Sequence, residues 1–87
     1  MTEAVPTTFA RIAAVVAPLF DREPGELTPE THVYDSLDAD SLDVIELVQA
    51  LEEEFGIEIS TNDEHEIITL ASAVALVERL RSPQGGP

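Results

Sequence analysis

The chain has no cysteine and no lysine, and its only strongly basic residues are four arginines among 87 residues. The lack of cysteine excludes disulfides, thiolate chemistry and cysteine-based zinc sites, and it fits a reducing cytoplasm. Apolar residues occur in short stripes, and no run approaches the ~20 apolar residues of a membrane-spanning helix. Residues 1–6 lack the positive charge and apolar core of a signal peptide. We therefore expect a cytoplasmic protein that does not cross a membrane.

Acidic residues dominate the charge of the chain. The 18 Asp and Glu give a formal net charge of −14, and the segment from Glu23 to Glu78 contains 16 acids and no Lys or Arg. Nucleic-acid binding is disfavoured, because almost nothing can neutralise phosphates. The acidic field should instead attract basic protein surfaces and speed their encounter. A surface that is acidic only for solubility is the simpler alternative.

The first helix is predicted to begin after Pro6, with Thr7 or Thr8 as its N-cap. Pro18 lacks a backbone donor, so we expect either a kink there or an end of the regular helix near Ala17. The apolar residues of this segment recur at helical spacing and form one stripe: Phe9, Ile12, Val16, Leu19 and Phe20.

The clearest helix of the sequence is Ser41 to Phe55, which Gly56 should end. Its core face consists of apolar residues on one arc: Val44, Leu47, Val48, Leu51 and Phe55. Residues 63–68 could form a brief helical turn, and Thr69 should cap a last helix. That helix has its own apolar stripe: Leu70, Ala73, Val74, Val77 and Leu80.

Residues 26–40 are predicted to form a long, ordered loop between the first two strong patterns. Four apolar side chains should anchor it in the core: Leu27, Val33, Tyr34 and Leu37. Residues 28–30 could open a single helical turn. With no convincing alternating strand, the pattern predicts a small all-α bundle. We expect one domain at residues 7–81 between flexible ends at 1–6 and 82–87.

Two Asp-Ser-Leu triplets occur, around Ser36 and around Ser41. Ser41 lies where the strong helical pattern begins, whereas Ser36 lies in the loop and is predicted to be a turn or cap residue. A helix start exposes unpaired amides and the positive end of the helix dipole, which suit a phosphate. The simpler alternative is that Asp40 or Ser41 merely caps the helix.

The face of this helix opposite its core stripe carries Leu42 and Ile45, together with Gln49. Three carboxylates flank that face: Glu46, Glu52 and Glu53. Exposed apolar side chains ringed by acids are typical of a docking patch for a basic, partly apolar protein surface.

Catalysis and metal binding have little support in the sequence. Serine hydrolysis needs a base and an oxyanion site, and neither His32 nor His65 lies in such a motif. The acids of residues 35–43 fail the EF-hand pattern, because Asp43 stands where glycine is required and Gln49 where the bidentate glutamate is required. We expect no catalytic residue and no dedicated metal site, although weak divalent binding by the acidic cluster stays open.

Two adjoining segments closely resemble the acyl carrier proteins of fatty acid and polyketide synthesis. They are Asp-Ala-Asp-Ser-Leu-Asp-Val-Ile-Glu-Leu-Val at 38–48 and Leu-Glu-Glu-Glu-Phe-Gly-Ile-Glu-Ile at 51–59. A weaker similarity extends over residues 9–80. The resemblance implies a four-helix bundle with a long first loop and a short third helix. It also implies that Ser41 carries 4′-phosphopantetheine, transferred from coenzyme A, whose thiol holds acyl groups as thioesters.

The resemblance further implies partners and a shelter for the acyl chain. A phosphopantetheinyl transferase, acyltransferases or ligases, and ketosynthase-type enzymes would meet a monomeric, non-enzymatic carrier through basic surfaces. The family's contact positions correspond here to Asp40, Leu42, Ile45, Glu46, Gln49 and Glu52, and Glu53 adjoins them. The acyl chain would lie between the helices, beside Val33, Leu51, Ile59 and Ile67.

Three residues depart from the family pattern. Asp38 replaces the usual glycine, Gln49 replaces an apolar residue, and Pro18 falls within the first helix. These departures favour a carrier of one particular pathway over a general housekeeping carrier. Two alternatives stay open: an aminoacyl or peptidyl carrier of a nonribosomal or hybrid pathway, and an acidic interaction module that binds a basic protein through Leu42 and Ile45.

Overall fold

Four α-helices form the protein in the computed structural model, which describes residues 7–81; the predicted flexible ends at 1–6 and 82–87 lie outside the described residues. The helices are α1 (Thr8–Leu19), α2 (Ser41–Phe55), α3 (Thr61–Glu64) and α4 (Leu70–Arg81), with a 3₁₀ turn at Pro24–Glu26. The expected all-α bundle, with its long first loop and short third helix, is confirmed. Among the helices described, none is long and apolar enough to span a membrane.

Helix α1 begins at the cap that the sequence favours and runs slightly further than expected. The Thr7 hydroxyl accepts a hydrogen bond from the Ala10 amide at 3.0 Å. The amide of Phe20 still donates to the Val16 carbonyl at 3.2 Å, so the expected end near Ala17 is wrong. Pro18 is tolerated because it lies in the last turn, where its missing donor removes one bond and no later turn depends on it.

Helix α3 lies two residues earlier than the predicted turn at 63–68. Ser60 caps it, because its hydroxyl accepts from the Asp63 amide at 3.0 Å while the Asp63 carboxylate lies 3.4 Å from the Ser60 amide. This reciprocal capping box fixes the start of the helix at Thr61. The predicted cap of α4 is confirmed, since the Ser72 amide donates to the Thr69 hydroxyl at 3.1 Å.

The long loop is packed against the helices, as expected, although not through all the predicted side chains. Leu27, Val33 and Leu37 are buried, but Tyr34 is 44% exposed, so its predicted burial is wrong. The Tyr34 ring makes an edge contact with His32, at 6.4 Å between ring centroids, instead of entering the core. The predicted helical turn at 28–30 is a simple hydrogen-bonded turn, and the 3₁₀ turn lies four residues earlier.

The core lies where α1 packs against α2 and α4 and the loop closes over them. Its completely or almost completely buried side chains come from the loops and all three long helices: Ile12, Val16, Val33, Leu47, Leu51, Ile67, Leu70, Leu76 and Val77. Two details differ from the predicted stripes. Leu76 is buried although the α4 stripe omitted it, and Leu19 is 38% exposed at the end of α1.

Candidate functional site

Asp40, and not Ser41, is the N-cap of α2. The Asp40 carboxylate accepts from the Asp43 amide at 2.9 Å, and the Asp43 carboxylate accepts from the Asp40 amide at 3.2 Å. This capping box satisfies amides that the helix start leaves unpaired. The alternative that Asp40 caps the helix is therefore correct. Ser41 is the first helical residue and has no capping role.

The Ser41 side chain is exposed at the start of a fifteen-residue helix. Its hydroxyl makes no hydrogen bond to any other residue in the described range 7–81. A phosphate attached to this hydroxyl would lie at the positive end of the helix dipole, close to first-turn amides. The predicted turn role of Ser36 is confirmed, since its hydroxyl accepts from the His32 amide at 3.2 Å.

A cleft of about 220 Å³ opens beside Ser41, between the long loop, α2 and the end of α3. Its other lining residues are Tyr34, Val44, Ile45, Glu64 and His65. Although His65 shares the cleft, no hydrogen bond joins its ring to Ser41 in the described part of the chain. Within residues 7–81, Ser41 and His65 therefore do not form the hydrogen-bonded nucleophile–base pair that is typical of serine catalysis.

The residues that the resemblance places around an acyl chain are all in the core. Val33 and Leu51 are 0% exposed, Ile67 is 1% and Ile59 is 8% exposed. None of the four lines the cleft beside Ser41. Their role as an acyl pocket stays a prediction, and in the structure they pack as ordinary apolar core residues.

The predicted docking face of α2 is exposed as the helical spacing indicated. Leu42 is 63% and Ile45 is 46% exposed, and a ring of polar and acidic side chains is also exposed around them: Asp40, Glu46, Gln49 and Glu53. Glu52 differs from these, because its half-buried carboxylate accepts from the Ile59 amide at 2.8 Å. Glu52 therefore ties the end of α2 to the following loop, whatever it contributes to docking.

Each of the four arginines is engaged away from the docking face. Arg11 pairs with Glu54 at 3.0 Å and lies over the Phe55 ring, on which Arg81 also stacks. Arg22 donates to the carbonyl of Ser36.

Arg79 pairs with Asp63 and Glu66, both at 3.0 Å. The hydrogen bond and charge of Glu66 raise the pKa of the Arg79 guanidinium above its ordinary value. Helix α2 itself contains no Lys or Arg, and the four arginines are engaged elsewhere. Within residues 7–81, no cation therefore neutralises the acids around Leu42.

Asp38 adopts the left-handed backbone conformation, with φ of 60°, two residues before the N-cap of α2. Glycine adopts this conformation without the steric cost that a Cβ imposes. Asp38 is exposed, and its carboxylate makes no hydrogen bond within residues 7–81. The departure from the family's glycine therefore places a strained residue in the loop that leads to Ser41.

We expect Asp38→Gly to stabilise the protein by roughly 0.5–1 kcal/mol, because relief of strain exceeds the entropy that glycine adds to the unfolded chain. A thermal melt should then rise by about 2–8 °C for a domain of this size. Asp38→Ala is the matched control, since it removes the same charge but retains the Cβ. An equal rise in Asp38→Ala would assign the effect to charge repulsion instead of backbone strain.

Most of this chain is similar to known proteins. Residues 10–80 match the family described as "Phosphopantetheine attachment site". The chain is also 44% identical over 71 residues to an acyl carrier protein of Helicobacter hepaticus. That similarity covers 82% of this chain and 93% of the relative. The matched range of the family runs from the first turn of α1 nearly to the end of α4 and includes Ser41.

Proposed function

Since this chain belongs to the acyl carrier protein family, we propose that Ser41 is the attachment point of its 4′-phosphopantetheine group. The observation that carries the proposal is the state of the Ser41 hydroxyl. It is exposed at the first position of α2, it has no hydrogen-bond partner in residues 7–81, and Asp40 supplies the cap in its place. A transferase can therefore reach and modify it without breaking any contact that holds the fold.

The residues at the start of α2 fit the phosphate end of this group. Ser41 provides the oxygen for the phosphodiester, and the first turn of the helix provides partly unpaired amides and a positive dipole end. When attached, the group supplies a terminal thiol that holds an acyl group as a thioester. This supply matters here, because the chain has no cysteine and hence no thiol of its own.

The function we propose is transport of acyl intermediates between the enzymes of fatty acid or polyketide biosynthesis. The carrier would act as a cytoplasmic monomer and leave the chemistry to its partners: a phosphopantetheinyl transferase, acyltransferases or ligases, and ketosynthase-type enzymes with basic surfaces. The exposed Leu42 and Ile45, the acids around them and the net charge of −14 support such partners. Asp38 and Gln49, which depart from the family pattern, favour one dedicated pathway.

The proposal is tested by loading the protein in two steps. Incubation with coenzyme A and a broad-specificity phosphopantetheinyl transferase should raise the intact mass by one arm. The loaded protein should then accept a malonyl group from a malonyl transferase, but no amino acid from adenylation enzymes. Failure of the first step would contradict attachment, whereas aminoacyl acceptance would assign the carrier to a nonribosomal or hybrid pathway.

A further inference from the structure

The loop segment that precedes Ser41, residues 34–39, is tied to the end of α1 by a long-range hydrogen bond. The Arg22 guanidinium donates to the Ser36 carbonyl at 3.1 Å, across 14 residues of chain. Within residues 7–81, every other hydrogen bond to this segment is made with His32 or Val33 of the same loop. Arg22 therefore provides the hydrogen bond that holds the segment from outside the loop.

The turn at the end of α1 fixes the backbone from which Arg22 reaches the loop. The Arg22 amide donates to the Ala17 carbonyl at 2.8 Å, and Asp21, just before it, has a left-handed φ of 58°. This is the Schellman motif, in which glycine usually occupies the left-handed position. Because Asp21 has a Cβ, its conformation is sterically unfavourable, yet the turn that carries Arg22 retains it. The link to Ser36 thus starts from a hydrogen-bonded corner of the fold.

The linked segment contains a second residue in this unfavourable conformation. Asp38 has a φ of 60°, and it lies between Leu37, which is buried, and the N-cap of α2. Its exposed carboxylate makes no hydrogen bond within residues 7–81, so the side chain does not stabilise the conformation. Such a conformation persists only when surrounding contacts hold it. The burial of Leu37 and the bond from Arg22 to Ser36 are contacts of this kind.

We propose that Arg22 is a positioning residue for attachment of the prosthetic group. It holds residues 34–39, and through them Asp40 and Ser41, in the geometry that the phosphopantetheinyl transferase binds. The proposal rests on attachment at Ser41. Arg22 acts through the loop backbone, since its hydrogen bond goes to the Ser36 carbonyl and none joins it to Ser41 in the described range.

Release of the segment should weaken binding to the transferase more than it slows the chemical step. Only carrier molecules with an ordered segment are ready to bind, so the apparent affinity falls with their fraction. Loss of one exposed hydrogen bond should lower the ratio of ordered to released segment by roughly two- to tenfold. We therefore expect a rise in KM of this order, while kcat stays unchanged.

Arg22→Met tests this expectation, because methionine retains much of the side-chain length but lacks the donor and the charge. KM should rise, and the backbone NMR order parameters of residues 36–39 should fall, while those of Leu47 and Leu51 in α2 stay unchanged. Loss of a cation from an acidic substrate would by itself strengthen its attraction to a basic enzyme, so charge alone predicts a lower KM. Arg22→Lys keeps a charged donor and should recover part of the affinity.

Arg11→Met is the matched control. Arg11 also donates to a main-chain carbonyl, that of Glu54 at 3.0 Å, and its replacement changes the net charge equally. Glu54 lies about 20 Å along α2 from Ser41, at 1.5 Å per residue. Arg11 also pairs with the Glu54 carboxylate and lies over the Phe55 ring, so its loss should lower the melting temperature at least as much as the loss of Arg22. KM in Arg11→Met should nevertheless remain that of the wild type.

Adding Asp38→Gly to Arg22→Met should return KM towards the wild-type value, because glycine relieves the strain that Arg22 otherwise holds. An unchanged KM in Arg22→Met, or an equal rise in Arg11→Met, would overturn the positioning role but not the proposed function, because the wild type would still be loaded. A double variant no better than Arg22→Met would overturn the positioning role as well. Failure of the wild type to load would overturn both.

Discussion

Replacing Ser41 by alanine is expected to abolish attachment of the prosthetic group completely. Alanine has no oxygen with which to form the phosphodiester, so the intact mass should not change on incubation with coenzyme A and the transferase. The fold should survive, because Ser41 is exposed, makes no side-chain hydrogen bond within residues 7–81 and does not cap α2. Alanine is also the best helix former, so the change in unfolding free energy should stay within about 0.5 kcal/mol.

Ser36→Ala is the matched control for this result, since Ser36 lies in the other Asp-Ser-Leu triplet. It removes the acceptor of the 3.2 Å bond from the His32 amide and should cost roughly 0.5–1.5 kcal/mol of stability. Loading should nevertheless proceed to one arm per chain. A mass gain that persists in Ser41→Ala and disappears in Ser36→Ala would move the attachment site into the loop.

The same pair of variants separates a carrier from an acidic interaction module. A module that binds a basic protein through Leu42 and Ile45 needs neither serine, so Ser41→Ala would leave its function intact. A carrier loses its function in Ser41→Ala, although its docking face is unchanged. Binding to a partner and transfer of an acyl group must therefore be measured on the same preparation.

The helices were predictable where their signals are local. Thr7, Thr69 and Gly56 mark helix ends through bonds or backbone angles that involve only their own neighbours, and each lies where the sequence placed it. The exposure of Leu42 and Ile45 also follows from helical spacing alone. The start of α3 was misplaced because Ser60 and Asp63 form a capping box with no apolar stripe behind it to reveal the helix.

The cleft was not predictable, because it depends on how distant segments pack. Tyr34 resembles an anchor of the loop in the sequence, yet it lines a surface cleft together with Glu64 and His65 from the region of α3. No periodicity links these residues to Ser41. The positive φ of Asp38 was also not predictable from the sequence. The glycine that the family has at this position suggests such a conformation, but only the backbone shows that aspartate adopts it as well.

The negative charge of the docking face is expected to favour the approach of partner enzymes to Ser41. Glu46 is exposed one turn from Leu42 and about 7.5 Å along the axis from Ser41, at 1.5 Å per residue. The arginines are engaged on other parts of the bundle, so the negative potential near Ser41 is not neutralised locally. An enzyme with a basic rim around its active site would therefore meet this carboxylate as it approaches the serine.

Glu46→Lys is expected to lower kcat/KM of the phosphopantetheinyl transferase for this protein by roughly tenfold at low ionic strength, or about 1.4 kcal/mol. The reversal replaces an attraction by a repulsion at the docking face, and it should act mainly on the association rate. Lysine favours helix as well as glutamate does, so a thermal melt should show α2 intact. Glu52 is unsuitable for this test, because its carboxylate also holds the Ile59 amide.

Glu58→Lys is the control, since it changes the net charge by the same amount at an exposed residue beyond the end of α2. The chain turns back after α2, so that the neighbouring Ile59 amide bonds to Glu52, which lies about 16 Å along the helix from Ser41 at 1.5 Å per residue. This separation exceeds the Debye length of ~10 Å at 0.1 M salt. The kcat/KM of Glu58→Lys should therefore stay within about twofold of the wild type, and the Glu46→Lys defect should shrink toward that level near 1 M salt, where the Debye length is ~3 Å. Equal losses in both variants would mean that net charge, and not the face beside Ser41, governs the encounter.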